Sequence, residues 1–388
     1  VVAGGGIGGL AVALAAARRG HRVVVLERAE RFSELGAGIQ LAPNAFRALD
    51  HLGVGAAVRE RAVFVDELRL MDAEAGGVIA RLELIGAFTE RFGAPYAVVH
   101  RTDVHEPLLR ACREHPLVDL RAGCRVTGYE RAGDGVRVLL ESGEVIDARG
   151  LVGADGLRST VRRRLLGDGP PRVSGHTIYR SVVPIDDVAP ELRWNAATLW
   201  AGPGFHLVHY PIAGARSFNL AVTVDDGARE EVVGVPVLRD HVLAEFGGVR
   251  PEVRALLELG RDWRSWVLCD RDPVTRWTDG PVLLVGDAAH PMLQYAAQGA
   301  AMALEDAVCL EAALGRHDDL AEAFARVESL RVARTGRVQL VSRRMGEEVY
   351  HPAGPAAAAR TELLAGLDRS RMLDELDWLY AHEAVPVA

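Results

Sequence analysis

The 388-residue chain contains no lysine; all 45 of its basic residues are arginine. With no side-chain amine to condense with a carbonyl, Schiff-base catalysis by the chain's own residues is excluded. Cysteine is scarce, and Cys112, Cys124, Cys269 and Cys309 show neither a C-x-x-C pair nor any other metal-ligand spacing. Reduced thiols, a cytoplasmic location and no metal site are therefore expected. An excess of positive charge is missing too. A formal net charge of −8 argues against nucleic acid as the main partner. No segment is long and apolar enough to span a bilayer. The uncharged run Val1 to Ala17 is glycine-rich and has no basic leader, so it does not read as a signal segment. It begins inside an apolar strand pattern, and a few preceding residues are expected. Internal repeats and low-complexity tracts are absent.

What is present is glycine, at three separated places. Gly4-Gly5-Gly6-Ile7-Gly8-Gly9 fits G-x-G-x-x-G between the apolar Val1-Val2-Ala3 and a helical run from Leu10 to Arg19. In such a strand-turn-helix Gly4 permits the tight turn, Gly6 lets backbone approach a pyrophosphate, and Gly9 lets helix and strand pack closely. Eighteen residues after Gly9, the strand His21 to Leu26 ends at Glu27, placed to accept a ribose hydroxyl and to disfavour a 2′-phosphate. This motif alone leaves NAD and FAD open. The other two stretches are Gly153-Ala154-Asp155-Gly156 and Gly286-Asp287-Ala288-Ala289-His290-Pro291.

The length suggests two or three domains, and the element pattern predicts an α/β fold. A Rossmann-like nucleotide-binding part is expected over 1–70, 98–170 and 270–320, interleaved with a mostly antiparallel sheet part over 71–97 and 171–269. A helical C-terminal region follows over 321–388. Strand patterns recur at Glu67 to Met71, Val78 to Leu84, Val136 to Leu140 and Val145 to Ala154. Between Thr177 and Val224 strand follows strand without a helix. Pro281 to Val285 then leads into Gly286-Asp287 and a helix over Gly299 to Leu314, so the chain returns to its nucleotide part after the sheet. Arg331, Arg334 and Arg337 predict a solvated helix face. Pro352 to Ala359 is expected to break the helical region, and the apolar end Leu373 to Tyr380 to dock on the body or on a second subunit as a homodimer.

Three motifs in this order, with Gly153-Ala154-Asp155-Gly156-Leu157-Arg158-Ser159-Thr160-Val161-Arg162 in the middle and Glu305-Asp306 after the third, resemble the single-component FAD-dependent aromatic hydroxylases over nearly the whole length. The resemblance implies tightly but non-covalently bound FAD, O2, and NADH or NADPH docking transiently, since no second Rossmann unit is present. It also implies hydroxylation of a phenolic aromatic acid through a flavin hydroperoxide. Carried over by residue, Gly4, Gly6 and Gly9 would hold the pyrophosphate, Glu27 the adenosine ribose and Arg28 the adenosine. Arg101 would reach the phosphates, Asp287 the ribityl chain, and the backbone of Gly299 and Ala300 the flavin pyrimidine edge. Gln40 and Asp155 complete the expected cofactor set. A flavin halogenase is disfavoured by the spacing of Trp263-Arg264-Ser265-Trp266, and an NAD-dependent dehydrogenase by the return to Gly286-Asp287.

On Phe205-His206-Leu207-Val208-His209-Tyr210, strand alternation puts His206, Val208 and Tyr210 on one face. Gln294 stands about where most relatives carry proline in the loop over the flavin. His206, Tyr210 and Gln294 together resemble a branch acting on hydroxybenzoates, which implies His206 and Gln294 as the groups that deprotonate the phenol, Tyr210 and Val208 as substrate contacts, and His206 as a base poised near neutrality. The narrower expectation is 3-hydroxybenzoate converted to 2,5-dihydroxybenzoate. Salicylate 1-hydroxylation and 6-hydroxynicotinate 3-hydroxylation share the FAD motifs and stay open, as does a non-catalytic binding protein on the same fold.

Overall fold

The computed structural model describes residues 1–33 and 38–384; Gly36 and Ala37, in the glycine-rich stretch Arg31 to Leu41 of the sequence, lie outside them. Five short strands build a wholly parallel sheet in the order Val282–Leu284, Leu151–Gly153, Val2–Ala3, Val23–Leu26, Val118–Arg121. All but the edge strand Val118–Arg121 are apolar with little alternation, as strands covered on both faces must be. One cover is the helix Ile7–Arg18, nine of whose twelve residues are buried, which packs against Gly299–Leu314, itself almost wholly buried. The close approach uses Gly8, where an added Cβ would sit 3.3 Å from Ala303.

An eight-stranded sheet forms the second body, in the order Val233–Pro236, Arg264–Asp270, Arg172–Pro184, Ser217–Asp225, Phe205–Ile212, Ala196–Gly202, Glu67–Asp72, Val78–Glu83. All its pairings are antiparallel except Ala196–Gly202 with Glu67–Asp72. Mixed α/β architecture with a mostly antiparallel second sheet is thus observed as expected. The strand Glu67–Asp72 lies wholly in this sheet, so a boundary between residues 70 and 71 cuts through one strand. Helices Arg239–Glu245 and Pro251–Leu259 cover the sheet's outer face over a core that includes Leu207, Phe218, Leu220 and Trp263. The second helix and the strands Val233–Pro236 and Arg264–Asp270 carry no periodicity clear enough to be expected.

Three further expectations are corrected. Val145 to Ala154 is two strands: Val145–Ala148 pairs antiparallel with Gly135–Leu140, whereas Leu151–Gly153 pairs parallel with Val2–Ala3. The change of sheet falls at Arg149-Gly150, between the two strands. The break after Tyr350 is shorter than Pro352 to Ala359, because Pro355 sits in the first turn of the helix Gly354–Ala365, where a missing N–H costs nothing. Arg331 and Arg334 are not on a solvated face. Arg331 is 1 % exposed, because its acidic partners lie on the packed helix Gly299–Leu314. The terminal helix Arg369–Tyr380 docks on the body, with Tyr380 in edge contact with Phe88, Phe92 and Tyr96.

Candidate active site

A cavity of about 940 Å³ runs from the first glycine loop to the inner face of the eight-stranded sheet. At the nucleotide end the chain leaves Val2–Ala3 through Gly4, whose φ is +109° and whose Cβ position is only 2.3 Å from the Ala154 carbonyl oxygen. Gly4 and Gly6 line the cavity. Gly9 is buried and turned away from it; a Cβ there would meet the Gly4 oxygen at 2.0 Å, so its role is close packing and not ligand contact. The helix that follows has no side-chain cap at Gly6 and no acid in its first turn, leaving its leading N–H groups for an anion.

Glu27 closes the loop from the next strand. Its Oε2 accepts from Gly5 N–H at 2.8 Å and its Oε1 from Ala29 N–H at 2.8 Å, with lone pairs left for a hydroxyl. Arg28, Gln40 and Arg101 also line the cavity, Gln40 as the acceptor for Tyr96. Asp155 lines it as well, yet its carboxylate is engaged in capping: it accepts from Ser159 Oγ, from Thr160 N–H at 2.7 Å and from Val161 N–H at 3.2 Å. Burial pushes its pKa upward against those hydrogen bonds.

Asp287 is exposed into the cavity between buried Gly286 and Ala288. Gly299 and Ala300 open the second helix on the cavity, again without a side-chain cap or a first-turn acid. Two uncapped helix starts facing one cavity, with acids at Glu27 and Asp287, suit a ligand that has phosphates in its middle, hydroxyls on either side of them and an acceptor ring at one end. FAD has that donor and acceptor order, and the residues present fit it.

Below the third motif lies a buried ion network. His290 Nε2 and Gly286 N–H meet Asp306 Oδ2 at 2.6 and 2.9 Å, and Arg331 bridges Asp306 at 2.7 Å and Glu305 at 2.6 Å. Arg334 and Asn44 complete the shell of Glu305, and Asn44 also donates to Gln298 at 2.9 Å. Burial alone would raise both acids; Arg331 with Arg334, and His290 with Arg331, instead hold them at about 2. The network anchors the Asp287 loop and the N-terminus at Gly299 to the same two helices.

At the sheet end, cross-strand register explains who meets whom. Tyr210 stands opposite Asn219, Val208 opposite Ala221 and His206 opposite Thr223, and Ala221 is opposite Arg180 on the far side. His206, Val208, Tyr210 and Arg180 all line the cavity, while Leu207 and His209 face the other core, His209 accepting from Trp200 Nε1 at 3.0 Å. Gln294 comes from the loop above: its Oε1 accepts from Arg180 at 2.6 Å and its Nε2 donates to Thr223 Oγ1 at 3.1 Å. The amide is therefore held in place beside the residue opposite His206. Arg180 escaped the sequence reasoning, although an arginine sharing a strand face with Ile178 and Val182 was its signal.

His206 is 2 % exposed, and its Nδ1 is 2.7 Å from Nε2 of His351. His351 follows the helical turn Met345–Tyr350 and could not be linked to His206 across 145 residues of chain. Burial, then His351 and His176, hold the His206 pKa well below the usual histidine range. This burial runs against the expected poise near neutrality, because it disfavours the protonated imidazole. Among the described residues no group of three or more His, Cys, Asp or Glu is arranged to hold a metal ion, and no helix is long and apolar enough to cross a membrane.

Comparison with known proteins agrees with this geometry. The FAD binding domain family matches residues 1–319. The chain is 50 % identical to a 3-hydroxybenzoate 6-hydroxylase of Aquipseudomonas alcaligenes, covering 99 % of this chain and 98 % of that protein. It is 46 % identical to one from Klebsiella oxytoca, over 98 % and 96 %. Klebsiella pneumoniae HpxO, solved in complex with FAD and uric acid, superposes with a TM-score of 0.86 at 26 % identity, over 100 % of this chain and 97 % of that one. The chain belongs to the FAD binding domain family. Within it, the protein is an FAD-dependent aromatic hydroxylase.

Proposed function

We propose that the protein hydroxylates 3-hydroxybenzoate to 2,5-dihydroxybenzoate in the cytoplasm, with NADH or NADPH and O2 as co-substrates. The observation that carries it is the convergence of His206, Tyr210, Gln294 and Arg180 on the cavity that also holds the glycine loop and Asp287. The full-length likeness to 3-hydroxybenzoate 6-hydroxylases supports the same substrate.

FAD, when bound, supplies the redox chemistry that activates oxygen. Gly4, Gly6, Arg101 and the first turn at Ile7 would hold its phosphates, with Glu27 and Arg28 at the adenosine end and Gln40, bonded to Tyr96, on the cavity wall toward the sheet. Asp287 would take the ribityl hydroxyls, and Gly299 and Ala300 would stabilise charge on the ring. Asp155 supports that site by fixing the helix Thr160–Leu166.

The remaining tasks fall to the sheet face. Arg180 places a buried cation in the cavity, suited to an aromatic acid carried as its anion. Val208 supplies apolar contact to a ring and Tyr210 a hydroxyl. His206 Nε2 accepts the phenolic proton, because a phenolate is the better nucleophile at its ortho and para carbons. Gln294, oriented by Arg180 and Thr223, shares that hydroxyl. Leu68, Leu70, Leu199 and Leu364 keep the chamber apolar, which limits loss of oxidising equivalents to water.

The test is a screen of NADH and NADPH oxidation by the purified yellow protein over 3-hydroxybenzoate, salicylate and 6-hydroxynicotinate. Selective stimulation by 3-hydroxybenzoate is expected; stronger coupled turnover of either other acid would replace the assignment.

A further inference from the structure

Three histidines from three distant segments meet at one end of the sheet's inner strands. His206 Nδ1 lies 2.7 Å from His351 Nε2, with the rings 5.0 Å apart. The His351 and His176 rings are 5.0 Å apart at 65°. His176 Nδ1 bonds the Tyr295 hydroxyl, and its Nε2 is 3.8 Å from Oδ2 of Asp225, whose side chain is 53 % exposed. Exposure rises along this line, from 2 % at His206 to 9 % at His351 and 12 % for the His176 side chain.

A phenol ionised in the cavity leaves a proton on His206. Among the described residues no carboxylate is bonded to an imidazolium there; its ring neighbours are His351, Tyr295 and Tyr350. The acids that face the cluster, Asp225, Asp226 and Glu347, act at its outer end around His176, where Arg172 opposes them.

We propose that His351 is the outer half of a two-histidine proton relay, carrying the phenolic proton from His206 to water at the His176–Asp225 edge. The step rests on the phenol hydroxylase assignment above. The phenol O–H bond breaks as His206 Nε2–H forms. His206 Nδ1–H breaks as His351 Nε2–H forms, and His351 Nδ1–H breaks to give its proton to water. The phenol becomes phenolate, one proton reaches solvent, and both imidazoles end neutral with the proton on the opposite nitrogen. His351 is a relay residue and touches no substrate. Its hydrogen bond also keeps the His206 ring turned with Nε2 toward the cavity.

The test uses the holoenzyme and 3-hydroxybenzoate, following phenolate absorbance after mixing, across pH. In His351→Gln the amide preserves a hydrogen bond to His206 but cannot pass a proton. Phenolate formation is expected to slow by about 10-fold to 100-fold, with ligand affinity and FAD content near wild type and partial rescue by added imidazole. His351→Ala should be slower still and respond more to imidazole; if it misfolds, His351→Gln carries the test. A wild-type rate and pH profile in His351→Gln would overturn the relay alone. A wild-type holoenzyme that ionises no bound phenol would overturn the hydroxylase assignment for this substrate and the relay with it.

Discussion

The ion network around Arg331 and the histidine cluster around His206 are both buried, and both reach the wall of the same cavity, yet they treat charge in opposite ways. In the first, two carboxylates and two guanidiniums are matched within 2.7 Å, and the acids stay ionised at every ordinary pH. In the second, desolvation disfavours charge on His206 and His351, His351 falling to about 4, and the nearest acid, Asp225, lies at the outer histidine, His176. The paired cluster suits a fixed scaffold beneath the cofactor loop. The unpaired one suits groups that exchange protons.

The sharpest way to break this contrast is Arg331→Met, which leaves Glu305 with reduced pairing and Asp306 with His290 and the Gly286 N–H. A loss of about 3–5 kcal/mol in unfolding free energy is expected by urea titration; a loss below about 1 kcal/mol would mean the network is dispensable. Because both acids are depressed to about 2, their contribution is complete above the ordinary carboxylate range and lost as pH falls through about 2. The wild-type advantage over the variant should therefore shrink on acidification and not on alkalinisation.

On the other side, His206→Ala is expected to lower hydroxylation about 100-fold while leaving NADH-driven flavin reduction largely intact in rapid-mixing measurements. An unchanged coupled rate would remove His206 from the mechanism. Asp287→Ala should weaken FAD retention about 10-fold, read from the absorbance ratio after gel filtration; full occupancy would contradict its assignment to the ribityl chain. The smallest change is Gln294→Pro, which deletes the link between Arg180 and Thr223. A shift of about threefold in coupling or substrate preference is expected, and wild-type values would show that this amide carries nothing.

The same contrast explains what could be read without coordinates. The nucleotide end is written in local spacing: Gly4, Gly6, Gly9 and Glu27 fall within one βαβ unit, and Asp287 and Gly299 within one turn and helix, so their order pointed to FAD. Even there, the engagement of Asp155 with Ser159, Thr160 and Val161 needed the backbone path. Alternation placed His206, Val208 and Tyr210 on one face correctly. It could not reveal His351, His176 or Arg180, which arrive from the C-terminal turn and from another strand. Nor could one helix's arginine repeat show that Arg331 and Arg334 face acids on its neighbour. Partners across tertiary contacts leave no mark in either segment alone.

The most direct test of the central claim is product identification after anaerobic reduction by NADH or NADPH and admission of oxygen in the presence of 3-hydroxybenzoate. The account predicts 2,5-dihydroxybenzoate in near-stoichiometric yield with the nicotinamide oxidised. Hydrogen peroxide with no hydroxylated acid, or hydroxylation at any other ring carbon, would contradict it.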